Sequence, residues 1–155
     1  MSILVRPATA ADVLEMSRVL IASITELCDA DHGNDPDKLA AWTRNKTPEG
    51  VSAMLANQHG RLFVAELDGV VAAVGAVSSA GEITLNYVVP AARFQGVSKA
   101  MLAALEAELK VMGFAEARLE ATATAQQFYQ AAGWTTDGPQ AVGRQVNGYP
   151  MRKAL

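Results

Sequence analysis

The stretch Tyr87-Val88-Val89-Pro90-Ala91-Ala92-Arg93-Phe94-Gln95-Gly96-Val97-Ser98-Lys99-Ala100-Met101-Leu102 constrains the fold of this chain more than any other. An apolar run stops at a proline, crosses a short turn of small and basic residues, and enters an amphipathic helical repeat. A strand delivered directly into a helix N-terminus makes an anion site. The first N–H groups of the helix have no internal partner, and the helix dipole adds positive potential. Arg93 sets a fixed cation beside that end, and Gly96 lets the backbone come close to a ligand. The chemistry expected here is phosphate binding.

With 155 residues the expectation is a single domain over 1–155, large enough to bury a core. Half the residues are hydrophobic and 19% are charged, which fits a globular class. A net charge of −3 and a pI near 5.3 argue against a broad nucleic-acid surface, but leave room for one local phosphate patch. Cys28 is the only cysteine, so no internal disulfide can form. The sequence shows no signal peptide and no apolar run long enough to span a bilayer, so a cytoplasmic, membrane-free protein is expected.

Residues 3–7 read as a strand closed by Pro7. Thr9 and Asp12 have capping-box spacing, and Val13, Met16, Leu20, Ile24 and Leu27 predict a helix to about Leu27. From Cys28 to Gly60 the period weakens. Asp35-Pro36 and Thr47-Pro48 each pair an N-cap with proline at the first helical position, predicting short helices over 36–44 and 48–57. Leu39, Trp42 and Leu55 are their expected core contacts. The period then changes to that of strands over 61–67, 70–78 and 83–89, the first two joined by an Asp68-Gly69 hairpin turn. A helix is predicted over 97–112, with Met101 or Leu102, Leu105, Leu109 and Met112 inward and a Glu106–Lys110 pair on its wet face. A strand over 117–120 completes a right-handed parallel crossover. Thr122 is expected to cap a helix over 123–132, and Asn147-Gly148 to turn a hairpin between strands 141–146 and 149–153. The expected fold is α/β (α+β): a mixed, mostly antiparallel sheet with one parallel β-α-β crossover and helices on both faces.

No P-loop, no G-x-G-x-x-G after a strand, no metal-ligand spacing and no G-x-S-x-G elbow occurs. What remains is specific. Arg93-Phe94-Gln95-Gly96-Val97-Ser98 resembles the pyrophosphate signature Q/R-x-x-G-x-G/A of the GNAT superfamily of N-acetyltransferases. Ala125-Gln126-Gln127-Phe128-Tyr129-Gln130-Ala131-Ala132-Gly133-Trp134 resembles that family's A-x-x-F-Y-x-x-x-G-F segment. The resemblance covers nearly the whole chain and is weakest between Cys28 and Gly60. The chain departs from the pattern at Phe94, where glycine is common, and at Ser98, where glycine or alanine is usual.

The resemblance implies a GNAT-like acyl-CoA N-acyltransferase fold that uses acetyl-CoA to acetylate a small-molecule or peptide amine in a ternary complex. It implies that Arg93, Phe94, Gln95, Gly96, Val97, Ser98 and Lys99 hold the pyrophosphate side. Asn86, Tyr87 and Val88 would pair with pantetheine along a strand edge and polarise the thioester. Thr122 would contact the cofactor, and Tyr129 would serve as general acid. A homodimer is plausible on the same ground. The base stays open among Glu66, Glu82, Asn86 (through a water) and Glu120, and His32, in the variable segment, could line the acceptor pocket. Plainer readings stand beside these: a core role for Tyr129, solvated caps for Glu26, Asp29, Asp31, Asp35 and Asp37, and surface loops for His32 and His59. Trp134 reads as core, Trp42 as core or pocket wall, and Cys28 as a small buried group without a base partner. A non-catalytic CoA-binding or regulatory module, or transfer of another acyl group or to a hydroxyl, are the rival functions.

Overall fold

The computed structural model describes residues 1–141 and 148–155. Strand β1 (Ile3–Pro7) precedes a 3-10 turn (Ala10–Asp12) and helix α1 (Val13–Leu27). The Asp12 carboxylate accepts from the Thr9 backbone N–H at 2.8 Å and also takes two bonds from Arg6. Helices α2 (Asp29–His32), α3 (Pro36–Thr43) and α4 (Pro48–Ala56) follow. Asp35 and Thr47 cap α3 and α4 as predicted, accepting backbone N–H bonds at 2.9 and 3.1 Å. The four-residue α2 was not predicted, since a single turn carries no period. Leu39, Trp42 and Leu55 are half-buried, and the fully buried contact from these helices is Val51 instead.

Strands β2 (Gly60–Leu67), β3 (Val70–Ser78) and β4 (Ile83–Val88) join β1 in an antiparallel sheet of order β1-β2-β3-β4. Asp68 and Gly69 both have positive φ, the geometry of a tight hairpin turn that follows strand twist. Helix α5 (Val97–Val111) leads to β5 (Glu116–Ala121), α6 (Gln126–Ala131), the short β6 (Thr135–Thr136) and β7 (Tyr149–Ala154). A second sheet has the order β5-β7-β6. The expected mixed sheet is therefore two sheets. They meet at one parallel bridge, Glu82–Arg118, where the Arg118 N–H donates to Gly81 at 3.1 Å. Beyond that bridge β4 and β5 diverge.

Two cores flank the strands. Val97, Met101, Leu102, Leu105 and Leu109 of α5 pack with Ala117, Leu119, Ala121, Trp134 and Met151. Met16, Val19 and Leu20 of α1 pack with Val51, Val64, Val71 and Val74 on the opposite face. Each buried Val, Leu or Met among them contributes about 1.5–3 kcal/mol on leaving water, the alanines less.

Three sequence expectations are corrected. Helix α6 starts at Gln126 rather than 123, because residues 122–125 form a turn closed by Thr122 and by Asp31, whose local bonds compete with helix. Glu106 does not pair with Lys110; its carboxylate takes the Lys153 ammonium at 2.6 Å and the Trp134 indole N–H at 3.3 Å. The unpredicted β6 is two residues long and pairs with β7, too short to show a period. Of the tail hairpin, residues 142–147 lie outside the described residues. The returning strand is present as β7, and the Ala141 N–H donates to Gly148 at 2.9 Å.

Candidate active site

The α5 N-terminus is left without a side-chain cap. Gly96 is its N-cap at φ +84°, a left-handed conformation glycine adopts without steric cost. The N–H groups that open the helix are left for a ligand. Arg93 follows the 3-10 turn Pro90–Ala92, and Phe94 sits at φ +62° with 92% of its surface exposed. The Arg93 guanidinium carbon lies 4.7 Å from the Phe94 ring centroid, a cation–π contact. A left-handed residue at 94 explains why glycine suits this position. The chain instead carries an aromatic there at a strain of about 1–2 kcal/mol.

This helix end opens on a cavity of about 530 Å³ between β4 and β5. Arg93, Phe94, Gly96, Ser98 and Lys99 line it, as do Asn86, Tyr87, Val88, Thr122 and Tyr129. Two other sequence candidates do not. The Gln95 amide turns back to donate to the Ala91 carbonyl at 2.9 Å, and the Val97 side chain is 1% exposed in the α5 core.

A bulge in β4 explains how the cavity reaches both sides of the sheet. Val77 pairs with Ile83 and Ala76 pairs with Leu85, leaving Thr84 without a ladder partner on β3. A one-residue slip reverses the face of every later side chain. Ile83 accordingly joins the α5 core, whereas Leu85 and Tyr87 join the α1 core. Asn86 then points to the α6 side. Thr84 carried no sequence signal for this, because register is a property of two strands.

Asn86 donates its amide to the Tyr129 hydroxyl at 3.2 Å. Tyr129 is 6% exposed and packs edge-on against Phe128 and Trp134, with ring centroids 5.2 and 5.9 Å away. Burial pushes its phenol up to about 12, and the Asn86 bond offsets only part of that. At neutral pH Tyr129 is a protonated donor whose oxygen already accepts one bond. Its proton is free to be aimed at a ligand. The Thr122 hydroxyl accepts from the Ala125 N–H at 3.2 Å and so holds the turn at the cavity wall.

The 28–47 segment supplies the rest of the wall. Ser23, Leu27 and Cys28 at the end of α1 line the cavity, a contribution the sequence reading missed for Ser23 and Leu27. Cys28 is 4% exposed, and burial with Asp31 and Asp29 nearby pushes its thiol up to about 12. It is therefore a neutral group, not a nucleophile. Tyr87 is also raised, by burial first, and meets the Trp42 side chain behind the cavity wall. Asp31 is a clasp between distant segments. Its carboxylate accepts from the Ala123 N–H at 2.6 Å and the Thr124 hydroxyl at 3.0 Å.

His32 is not a surface residue, as the sequence had suggested; it is 0% exposed. Its Nε2 bonds the Ile24 carbonyl at 2.8 Å, and its Nδ1 accepts the Asn34 N–H at 2.9 Å. This pattern assigns the proton to Nε2 and satisfies a carbonyl in the last turn of α1. His32 is structural and lies outside the cavity lining. Glu66 is held by Arg6 at 2.7 Å, and Glu82 does not line the cavity either. Glu120 does. Among the described residues no cluster of His, Cys, Asp and Glu can hold a metal ion, and no helix is long and apolar enough to cross a membrane.

Comparison with known proteins agrees with this geometry. No curated protein matches the sequence. A GCN5-related N-acetyltransferase structure from Rhodopseudomonas palustris superposes with a TM-score of 0.86 at 21% identity, covering 100% of this chain and 97% of the other. The PaiA N-acetyltransferase of Thermoplasma acidophilum, solved with coenzyme A, gives 0.81 at 20% identity, with full coverage of both chains. YncA of Salmonella typhimurium, solved with its cofactor acetyl-CoA, gives 0.68 at 19% identity over 100% of this chain and 95% of the other. At these identities the likeness establishes the fold. The sequence itself matches the family model described as "Acetyltransferase (GNAT) domain" over residues 18–155, which include β4, α5 and the Tyr129 helix, and the chain belongs to that family.

Proposed function

We propose that the protein is an acetyl-CoA-dependent N-acetyltransferase acting on a primary amine by direct attack. The observation that carries this reading is the Asn86–Tyr129 pair, set in the same cavity as the uncapped α5 N-terminus. The residues fit the cosubstrate along its length. The N–H groups opening α5 and the Arg93 cation suit a pyrophosphate. Beyond the Glu82 bridge, β4 is the edge of its sheet and offers backbone groups to a peptide-like pantetheine arm. PaiA and YncA were each solved with a ligand of this class, which supports the choice.

The bound thioester supplies an activated acyl carbon. The amine nitrogen forms its bond to that carbon, and the carbon–sulfur bond breaks. Backbone N–H groups near Tyr87 and Val88 offset charge on the carbonyl oxygen. Tyr129 donates its hydroxyl proton toward the departing sulfur. A phenol near 12 is a weaker acid than a thiol, so its contribution is a hydrogen bond to developing thiolate charge rather than complete transfer. With the Cys28 thiol neutral, no acyl-enzyme step is invoked.

An amine panel with acetyl-CoA, read by thiol release, tests the reading. Turnover with at least one amine is expected. A coenzyme A thermal shift without consumption of acetyl-CoA across the panel would point to a non-catalytic binding module. Mass spectrometry of the purified protein for a retained acyl-CoA identifies a different acyl group, and an alcohol panel a hydroxyl acceptor.

A further inference from the structure

We infer that Asp31 is a positioning residue that sets how wide an amine the cavity admits; this rests on the acetyl-transfer reading above. Asp31 ties two walls of the cavity together. One wall is the end of α1, where Leu27 and Cys28 line the cavity. The other is the turn after β5, where Thr122 and Thr124 line it. Asp31 stands behind both and bonds to each. Its backbone N–H donates to the Cys28 carbonyl at 2.9 Å. Its carboxylate accepts from the Ala123 N–H at 2.6 Å, the Thr124 hydroxyl at 3.0 Å and the Thr124 N–H at 3.4 Å. An ionised acceptor shared by three donors holds them more firmly than a neutral group does.

Both ends of the tie are anchored. On the α1 side the neighbouring His32 is fully buried, and its Nε2 bonds the Ile24 carbonyl at 2.8 Å. The His32 ring also meets Trp42 edge-on, with centroids 6.1 Å apart. On the other side the Thr122 hydroxyl accepts from the Ala125 N–H, and the Ala125 carbonyl accepts from the Tyr129 N–H at 3.1 Å. The turn therefore parts from α2 only when the Asp31 bonds break.

The rest of the site is held by other means. The Tyr129 ring is buried against Phe128 and Trp134, and Asn86 holds its hydroxyl. Helix α5, whose N-terminus is assigned to the pyrophosphate, packs in one core, and α1 packs in the core on the opposite face. The α1 side is thereby left to the amine. Cutting the tie widens the amine's opening and leaves the cofactor end and the proton donor in place, so size selection is the property it moves.

The test compares wild type, Asp31→Ala and Thr124→Val on primary amines that widen stepwise at the carbon bearing the nitrogen. In Asp31→Ala the kcat/KM preference for narrow over wide amines is expected to fall about tenfold, chiefly through KM, the scale of a one-methylene change in a pocket. Thr124→Val loses the hydroxyl bond and keeps both N–H bonds, so it should shift the preference the same way by less. Saturated kcat with the narrow amines and coenzyme A affinity by calorimetry should stay near wild type, the latter serving as the folding control. Cys28, the sole cysteine, reads the opening without turnover. An uncharged thiol reagent, applied without denaturant, should label it faster in Asp31→Ala than in wild type. An unchanged preference, an equal loss for every amine, or an unchanged labelling rate each overturns the inference. If wild type consumes no acetyl-CoA with any amine, the acetyl-transfer reading falls and size selection with it, while the Cys28 rate still shows whether Asp31 ties the two walls.

Discussion

Asn86 of β4 and Tyr129 of α6 are 43 positions apart, yet the amide of the first donates to the hydroxyl of the second. The bond leaves the phenol oxygen one acceptor site used and its proton unspent. Tyr129→Phe should therefore lower kcat by about 100-fold, the scale of a lost proton donor, while coenzyme A affinity stays within about threefold. Steady-state kinetics beside calorimetry read the two effects separately. Because burial raises the phenol to about 12, Tyr129 stays protonated up to that range. The wild-type rate profile should accordingly show no fall between pH 8 and pH 10 that Tyr129→Phe removes.

Arg93 stands at the exposed entrance to the uncapped end of α5. A charge-assisted bond contributes about 1.5–3 kcal/mol, less where water competes. Arg93→Ala should weaken coenzyme A binding by about tenfold and flatten its dependence on salt. An unchanged dissociation constant would remove this residue from the phosphate site.

Phe94 holds a left-handed backbone without burial to enforce it. Substitution by glycine and by alanine removes the same ring and the same contact with Arg93, so their difference isolates backbone strain. Left-handed strain of about 1–2 kcal/mol exceeds the roughly 0.5–1 kcal/mol that glycine loses in conformational entropy. Phe94→Gly should be more stable than Phe94→Ala by about 0.5–1 kcal/mol in urea denaturation. Equal midpoints would contradict the strained geometry.

Asp12 ties β1 to the start of α1 through Arg6, whose guanidinium first, and the Thr9 bonds after, hold the carboxyl well below the usual carboxylate range. A depressed folded value means this stability is complete above the unfolded value, near pH 4, and fades as pH falls toward the folded one. Asp12→Asn should be less stable than wild type at pH 7, and the gap should narrow below pH 4. Denaturation midpoints collected from pH 7 to pH 2 check the sign.

Much of this molecule is legible in local sequence. Asp35-Pro36 and Thr47-Pro48 start helices where their chemistry requires, because cap and proline act within a single turn. Asp68-Gly69 makes its hairpin for the same local reason, and the apolar repeat from Val97 to Leu109 is the buried stripe of α5. The resemblance to the GNAT pattern carried Tyr129 and the α5 turn to their places in one cavity, although Gln95 and Val97 turned away from it.

The rest depended on strands meeting. Glu66, Glu82 and Glu120 look alike as strand glutamates. Only pairing with Arg6 withdraws the first, and only the divergence of β5 from β4 brings the last to the cavity. His32 reads as a loop histidine until the end of α1 lies close enough for its ring to bond the Ile24 carbonyl. The bulge at Thr84 arises from the register of β4 against β3, which no single strand encodes. The sequence by itself determined helices α1, α3, α4 and α5, the hairpin at Asp68-Gly69 and the turn that enters α5, because these follow from interactions a few residues long. Tertiary structure decided which carboxylate faces the cavity and what the Tyr129 hydroxyl touches, because both follow from sheet register and from the angle at which two sheets part.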